Sequence, residues 1–366
     1  MIYRRVRLAV LLSASLAMLA MPTHVVQALQ FSAADTVQAV GVAPAPPAAP
    51  VAPEPVREDF PTWLSGVRSE ALARGISEQT VDAAFTDLQP LPVVLERDRA
   101  QAELVLSLDE YLRRRLTRSF IRTGREMAVK QRDILKRVST EYGVQSKYLV
   151  AIWGVESNYG RFVGVRPTIQ ALATLAWDGR RGAFFKGELL NALEIIDRGY
   201  IDLAQLQGSW AGAMGQTQFM PSSYLKHAQD FDQDGHRDIW HSQPDIFASI
   251  ANYLKNYGWI PDQTWGREVR LPKAGTLSVI EKIGLRTTGC RANKEMTNPA
   301  PLATWSALGV RAIDGGPLPA VTRDASLVHS GGRSFLVYTN YEALLGYNCA
   351  HTYALSVALL AERVDP

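Results

Sequence analysis

Residues 151–160 read Ala-Ile-Trp-Gly-Val-Glu-Ser-Asn-Tyr-Gly, and the one carboxylate among them stands where helical packing does not call for a charge. Leu149, Ile152, Trp153 and Glu156 recur at i, i+3, i+4 and i+7, which puts Glu156 on a helix face of large apolar side chains. Desolvation beside such groups disfavours the ionised form, so the pattern predicts a Glu156 that stays protonated near neutral pH and can donate to a leaving oxygen. Periodicity leaves a second reading open, in which a carboxylate at a helix end reaches solvent or pairs with Arg161.

Outward from this helix the pattern is mostly helical. Thr62 is placed to cap a helix carrying Leu64 and Val67, Gly75 is a stop signal, and Ser77 is placed to cap a second helix with Val81 and Phe85 on one face. Residues 104–142 mix apolar residues with many Arg and Glu, as amphipathic helices do, and the run Arg113, Arg114, Arg115 reads as a solvated face. From residue 267 the period changes: Val269 and Leu271 alternate with Glu268 and Arg270, and residues 335–339 are rich in aromatic and β-branched side chains. Helix returns over residues 350–363. The expectation is a mainly α, α+β chain with a small strand-containing insert. The segments expected are a helical N-terminal domain (59–140), a helical core (141–265), the insert (266–345) and a C-terminal helix (346–366) completing the core.

The 366 residues are 47% hydrophobic and 20% charged, which excludes a disordered or collagen-like chain. Arg4, Arg5 and Arg7 followed by a short apolar run to Met21 read as a secretory leader over residues 1–28, with Val26-Gln27-Ala28 at its end. Lys and Arg number 39 against 36 Asp and Glu, and three of those arginines are in the leader, so the remainder is balanced and carries no nucleic-acid footprint. Six of the 20 prolines fall in residues 43–56, a semi-extended part of a linker spanning 29–58. No later stretch approaches the length of a membrane span. Export would put the only cysteines, Cys290 and Cys349, in an oxidising compartment, where an even pair reads as one disulfide; two buried free thiols are the alternative.

Nucleotide-binding glycine loops, HExxH and GxSxG are all missing from the sequence, which removes the usual support for nucleotide, zinc-protease and serine-hydrolase readings. A further constellation is Asp230-x-Asp232-x-Asp234-Gly235-His236, followed by Asp238 and Asp245. Carboxylates at alternate positions before a glycine form the front half of a calcium loop, but position 12 is His241 where the standard loop has Glu. An acidic surface turn is the other reading.

Glu156-Ser-Asn-Tyr-Gly160, with residues 208–222 (GSWAGAMGQTQFMPS) and 251–259 (ANYLKNYGW), resembles the membrane-bound lytic transglycosylase B family of peptidoglycan-cleaving enzymes. The resemblance runs from about residue 60 to 364. It implies a lysozyme-like helical core acting on the β-1,4 bond between N-acetylmuramic acid and N-acetylglucosamine, with Glu156 as the single catalytic acid. The substrate's own C6 hydroxyl would attack C1, leaving a 1,6-anhydromuramoyl end without a second carboxylate. The resemblance further implies that Ser209 and Gln218 line the cleft, and that Tyr253, Tyr347, Asn348 and Tyr353 contact substrate, the tyrosine faces stacking on sugar rings. Taken without it, each tyrosine reads as core. Cys349 and Ala350 depart from the family's polar pair after Asn348. The family's expanded calcium loop would be closed by Asp245, with Asp230, Asp232 and Asp234 as ligands and the backbone carbonyl of His236 in the middle place. No cofactor is then needed for the chemistry, and Ca²⁺ would be structural. The implied setting is a soluble periplasmic protein whose partners are glycan strands and cell-wall enzyme complexes. A non-catalytic peptidoglycan-binding protein and a hydrolytic muramidase remain the alternatives.

Overall fold

The helix that carries Glu156 runs Ser146–Ser157 and is buried on nearly every side, with Tyr148, Leu149, Ile152, Trp153 and Val155 all inside. A helix apolar all round belongs in the middle of a core. The computed structural model describes residues 58–100, 106–273 and 275–365. The expected leader, and all but the last residue of the expected linker, lie outside the described residues. Packed around the central helix are Leu108–Arg115, Arg118–Lys130, Arg132–Tyr142, Gln243–Asn256, Thr339–Tyr347 and His351–Val364, whose Leu112, Leu135, Ile250, Leu344 and Leu355 join Trp153 in one cluster. Gly154 lets the Tyr159 ring fold back onto this helix, since a Cβ there would meet that ring at 2.5 Å.

A second cluster is built by the remaining helices before residue 200. Phe60–Ala73, Glu78–Phe85 and Pro92–Ala100 pack on Thr168–Asp178 and Gly182–Asp197, with Val67, Val81, Val94, Leu172 and Leu189 buried together. The helices of residues 59–140 therefore share no core of their own. Their apolar faces are narrow, and each buries its stripe against the longer helices that follow. The first helix is capped by Asp59 and not by Thr62: Asp59 Oδ1 accepts the Thr62 N–H at 3.0 Å, and the helix begins at Phe60. Ser77 caps the second helix, its Oγ accepting the Thr80 N–H at 3.2 Å.

Alternation becomes a five-stranded antiparallel sheet in the spatial order Ala300–Pro301, Asp324–Ser330, Arg333–Val337, Gly266–Arg270, Arg311–Ala312. Its centre is a hairpin in which Leu327 faces Leu336, turned by Gly331 and Gly332 with φ of 59° and 76°. Trp305 and Leu302 bury its inner face. The chain is back in the helical core from Thr339, earlier than residue 346, because Tyr341, Leu344 and Leu345 fill the central cluster. A disulfide joins Cys290 to Cys349, with Cα atoms 6.4 Å apart, and ties the strand-containing insert to the loop before the last helix. Among the described residues, no single helix is long and apolar enough to cross a membrane.

Candidate active site

Beyond the end of the Glu156 helix, Arg166–Pro167 pairs antiparallel with Gln207–Gly208. Glycine is required at the crossing, because a Cβ on Gly164 would overlap the Gly208 carbonyl. Bridges from Met214 to Gly208 and to Phe219 then fold the glycine-rich stretch back on itself. Ser209 Oγ holds that turn, accepting the N–H groups of Ala211 and Ala213 at 3.2 and 3.1 Å. Gln218, at φ 51°, donates its Nε2 to Gly215 O at 2.9 Å. The cleft so formed has a volume of about 640 Å³ and is lined by Glu156, Ser209, Gln218, Tyr347 and Asn348. Phe162, Val165, Trp210 and Met220 add apolar surface, and Arg97 and Arg166 add positive charge. Glu156 is the only carboxylate lining it among the described residues.

Burial pushes the Glu156 carboxyl up to about 7, against the lowering effects of the Tyr353 hydroxyl and the Arg115 charge. Tyr353 Oη is buried and completes no hydrogen bond of ordinary geometry among the described residues, yet lies close enough to favour the ionised carboxylate. Tyr347 donates to Thr217 O at 2.7 Å and Tyr253 to Gly346 O at 2.7 Å. Burial holds the phenols of Tyr253, Tyr347 and Tyr353 above their ordinary range, so all three are neutral donors.

The geometry divides the expected contact residues. Ser209, Gln218, Tyr347 and Asn348 open onto the cleft with Glu156, whereas Tyr253 and Tyr353 stand behind its wall, each 5% exposed. Rather than opening to a sugar, the Tyr253 ring stacks on Tyr257 at 4.5 Å and tilts against Tyr347 at 4.6 Å. The sequence reading missed Phe162 and Val165, which are 49% and 67% exposed at the cleft mouth. The apolar cluster Phe162, Val163 and Val165 in the glycine-bearing loop directly after the Glu156 helix was the available signal. It also placed Arg115 in solvent. Leu108, Leu112 and Arg115 recur at i, i+4 and i+7, and the structure turns Arg115 inward on that face, with its Nε buried.

The acidic loop gathers three of its carboxylates. Oxygens of Asp230, Asp232 and Asp245 lie within 4.8 Å of one another, a spacing that suits oxygen ligands at about 2.3–2.6 Å from one Ca²⁺. Asp245 is fully buried, and its two oxygens accept the N–H groups of Phe231 and Asp238 at 2.7 and 2.9 Å. Burial pushes its carboxyl up to about 6. Asp234 is not part of the group: its Oδ1 accepts the N–H of His236 at 2.8 Å, which holds the exposed turn.

Residues 59–362 match the transglycosylase SLT domain family. The membrane-bound lytic murein transglycosylase B of Escherichia coli (strain K12) is 44% identical over 129 residues, 35% of this chain and 36% of that protein. The aligned stretch thus spans about a third of that relative's length. SltB3 from Pseudomonas aeruginosa, solved in complex with NAG-anhNAM-pentapeptide, superposes with a TM-score of 0.75 at 43% identity, covering 83% of this chain and 79% of that one. The Escherichia coli lytic transglycosylase Slt35 in complex with calcium gives a TM-score of 0.68 at 27% identity, covering 82% of this chain and 92% of its own.

Proposed function

The chain belongs to the transglycosylase SLT domain family, and on that premise we propose that it is an exported lytic transglycosylase that cleaves the β-1,4 bond between N-acetylmuramic acid and N-acetylglucosamine in peptidoglycan. One observation carries the reading: among the described residues a single carboxylate, with its proton held up to about 7, lines the cleft. A retaining glycosidase uses two carboxylates about 5–5.5 Å apart, the second as nucleophile. With Glu156 alone, the nucleophile is the substrate's C6 hydroxyl. Glu156 gives its proton to the departing O4 of N-acetylglucosamine as the C1–O bond breaks. The C6 oxygen closes on C1, and the Glu156 carboxylate takes the proton it sheds, which regenerates the acid and consumes no water. Holding the two reacting groups in one sugar gives this attack an orientation advantage over attack by free water.

Ser209 keeps the glycine-rich turn in shape, Tyr347 and Asn348 bound the cleft floor, and Phe162, Val165 and Trp210 give apolar surface for sugar rings. Asp230, Asp232 and Asp245 are the residues that would hold Ca²⁺, which would supply a structural cross-link and no chemistry. Glycan strands in the periplasm are the partner this site fits.

The test is mass spectrometry of purified sacculi after digestion. Anhydro ends lack one water relative to reducing ends. Anhydro products support the reading, reducing ends replace it with hydrolysis, and intact glycan with measurable binding replaces it with a binding protein.

A further inference from the structure

Arg97 and Arg166 reach the cleft from two different elements. Arg97 stands on the helix Pro92–Ala100, whose Val94 and Asp98, four residues apart, face inward. Asp98 is 5% exposed and takes both Arg180 and Arg181, the latter at 2.6 Å. Just before the helix, the Leu91 N–H donates to Thr174 Oγ1 at 2.9 Å. The helix is therefore fixed at both ends, with Arg97 on the flank that meets the cleft. Arg166 is placed by strand register: it stands opposite Gly208, beside the turn that Ser209 holds. Nearby arginines already have anionic partners, Arg99 in Asp178 and both Arg180 and Arg181 in Asp98. Arg97 and Arg166 make no ion pair among the described residues. Glu156, the single carboxylate lining the cleft among those residues, can balance at most one of the two charges.

An arginine does not shed its proton, so this excess of positive charge is permanent. A strand of N-acetylated sugars gives it nothing to neutralise. The acetamido groups are uncharged, and the lactyl carboxyl of N-acetylmuramic acid is consumed in the amide bond that carries the peptide stem. The anions of the polymer lie on that stem, which ends in a carboxylate and bears others on its acidic residues. A guanidinium meets a carboxylate with two parallel N–H donors, a geometry that neutral hydroxyls do not reproduce. We propose that Arg97 and Arg166 are specificity-determining residues that bind carboxylates of the peptide stem, so that the enzyme takes stem-bearing glycan in preference to bare strands. The inference rests on the peptidoglycan reading above and adds which part of the polymer is read. Phe162, Val165 and Trp210 lie in the same cleft, and apolar surface beside a charge pair keeps water from weakening it.

The experiment measures binding by calorimetry in the Glu156→Gln background, so that no ligand is turned over. Three probes are compared. The first is a tetrasaccharide of alternating N-acetylglucosamine and N-acetylmuramic acid bearing L-alanyl-D-glutamate stems. The second is the same compound with both glutamate carboxyls amidated, and the third is the stemless tetrasaccharide with its lactyl carboxyls free. The carboxylate stem should bind about tenfold more tightly than the amidated one, as a charge-assisted contact does, and the advantage should shrink as salt rises. Folded Arg97→Gln and Arg166→Gln should each reduce the advantage, and the double variant should bring it below about twofold. The Nε resonances of Arg97 and Arg166, read with both arginines intact, require no further variant to fold. They should shift with the carboxylate stem and stay in place with the amidated one. Equal affinity for the two stems would overturn the proposal, as would a full advantage surviving in the folded double variant. A stemless strand bound as tightly as the carboxylate stem would move the contact to the lactyl group and overturn it too. None of these readouts involves a product, so reducing ends in place of anhydro ends leave the comparison standing. Failure of all three glycans to bind would instead remove the peptidoglycan reading, and this inference with it.

Discussion

The indole Nε1 of Trp153 donates to Oε1 of Gln216 at 2.7 Å. The same amide donates its Nε2 to Trp240 O at 2.6 Å, and the Gln216 backbone N–H reaches Ile239 O at 2.8 Å. One buried side chain thus ties the Glu156 helix to the glycine-rich turn and to the segment that leaves the acidic loop. Gly160 makes room for it, since a Cβ there would strike Gln216 Oε1.

Replacing Gln216 with Leu keeps the volume and strands two buried groups, the Trp153 N–H and the Trp240 carbonyl. Each such group costs about 1–3 kcal/mol when left unpaired. Urea denaturation should therefore show a loss of roughly 2–6 kcal/mol, with reduced turnover in the folded fraction. An unchanged midpoint would mean that the tie adds nothing to stability.

The pH dependence of catalysis follows from the direction of the Glu156 shift. In the proposed mechanism the free enzyme needs Glu156 protonated, and burial holds that proton up to about 7. Hence kcat/KM should be level through pH 5–6 and fall tenfold per pH unit well above 7. A profile that keeps rising to pH 9 would show that another group delivers the proton.

How far the site could be read in advance depended on how local each signal was. The apolar surroundings of Glu156 were legible as one of two readings because helical phase sets its neighbours within two turns, its role came only with the resemblance, and the sheet segment was legible because Glu268, Val269 and Arg270 alternate. Gln216 was not, since its partners Trp153 and Trp240 lie 63 and 24 residues away. Tyr253 was ambiguous for a physical reason: an aromatic ring suits a core and a sugar equally, and only its surroundings, Tyr257 stacked on it and Tyr347 tilted against it, bear on the choice. Arg115 had the right phase, but three consecutive like charges read as solvated when the pairing of the first two with Glu110 is not known.

Calcium should stabilise the fold by binding only the native arrangement of Asp230, Asp232 and Asp245. At a hundredfold excess over Kd the gain is about 2.7 kcal/mol. Thermal unfolding of protein first shown to be metal-free, with added Ca²⁺ or with chelator, should separate the two midpoints by several degrees. Asp245→Asn should bring them together. Identical midpoints for the unsubstituted protein would remove the metal from the account.

Glu156→Gln should abolish cleavage while the protein remains folded and still binds glycan. The amide is nearly the shape of a protonated carboxyl and can keep its hydrogen bonds, but it has no proton acidic enough to give to the leaving O4. Acid–base catalysis by one side chain contributes about 10²–10⁴ in rate, and a residue serving both transfers should lie at the upper end. Stability should move the other way. The ordinary value of 4.5 rises to about 7 on folding, so the native state holds the proton more tightly than the unfolded chain, and stability declines as pH rises between those two values. Above pH 7 the wild type carries the full cost of a buried carboxylate, which Gln does not. Glu156→Gln should therefore match the wild type at pH 4 and exceed it at pH 8, by roughly 1–3 kcal/mol. Release of anhydromuropeptides from sacculi and thermal melts at the two pH values check both halves. Near-wild-type release by the folded variant would end the assignment of Glu156, and a variant less stable than wild type at pH 8 would show that its carboxylate is not desolvated.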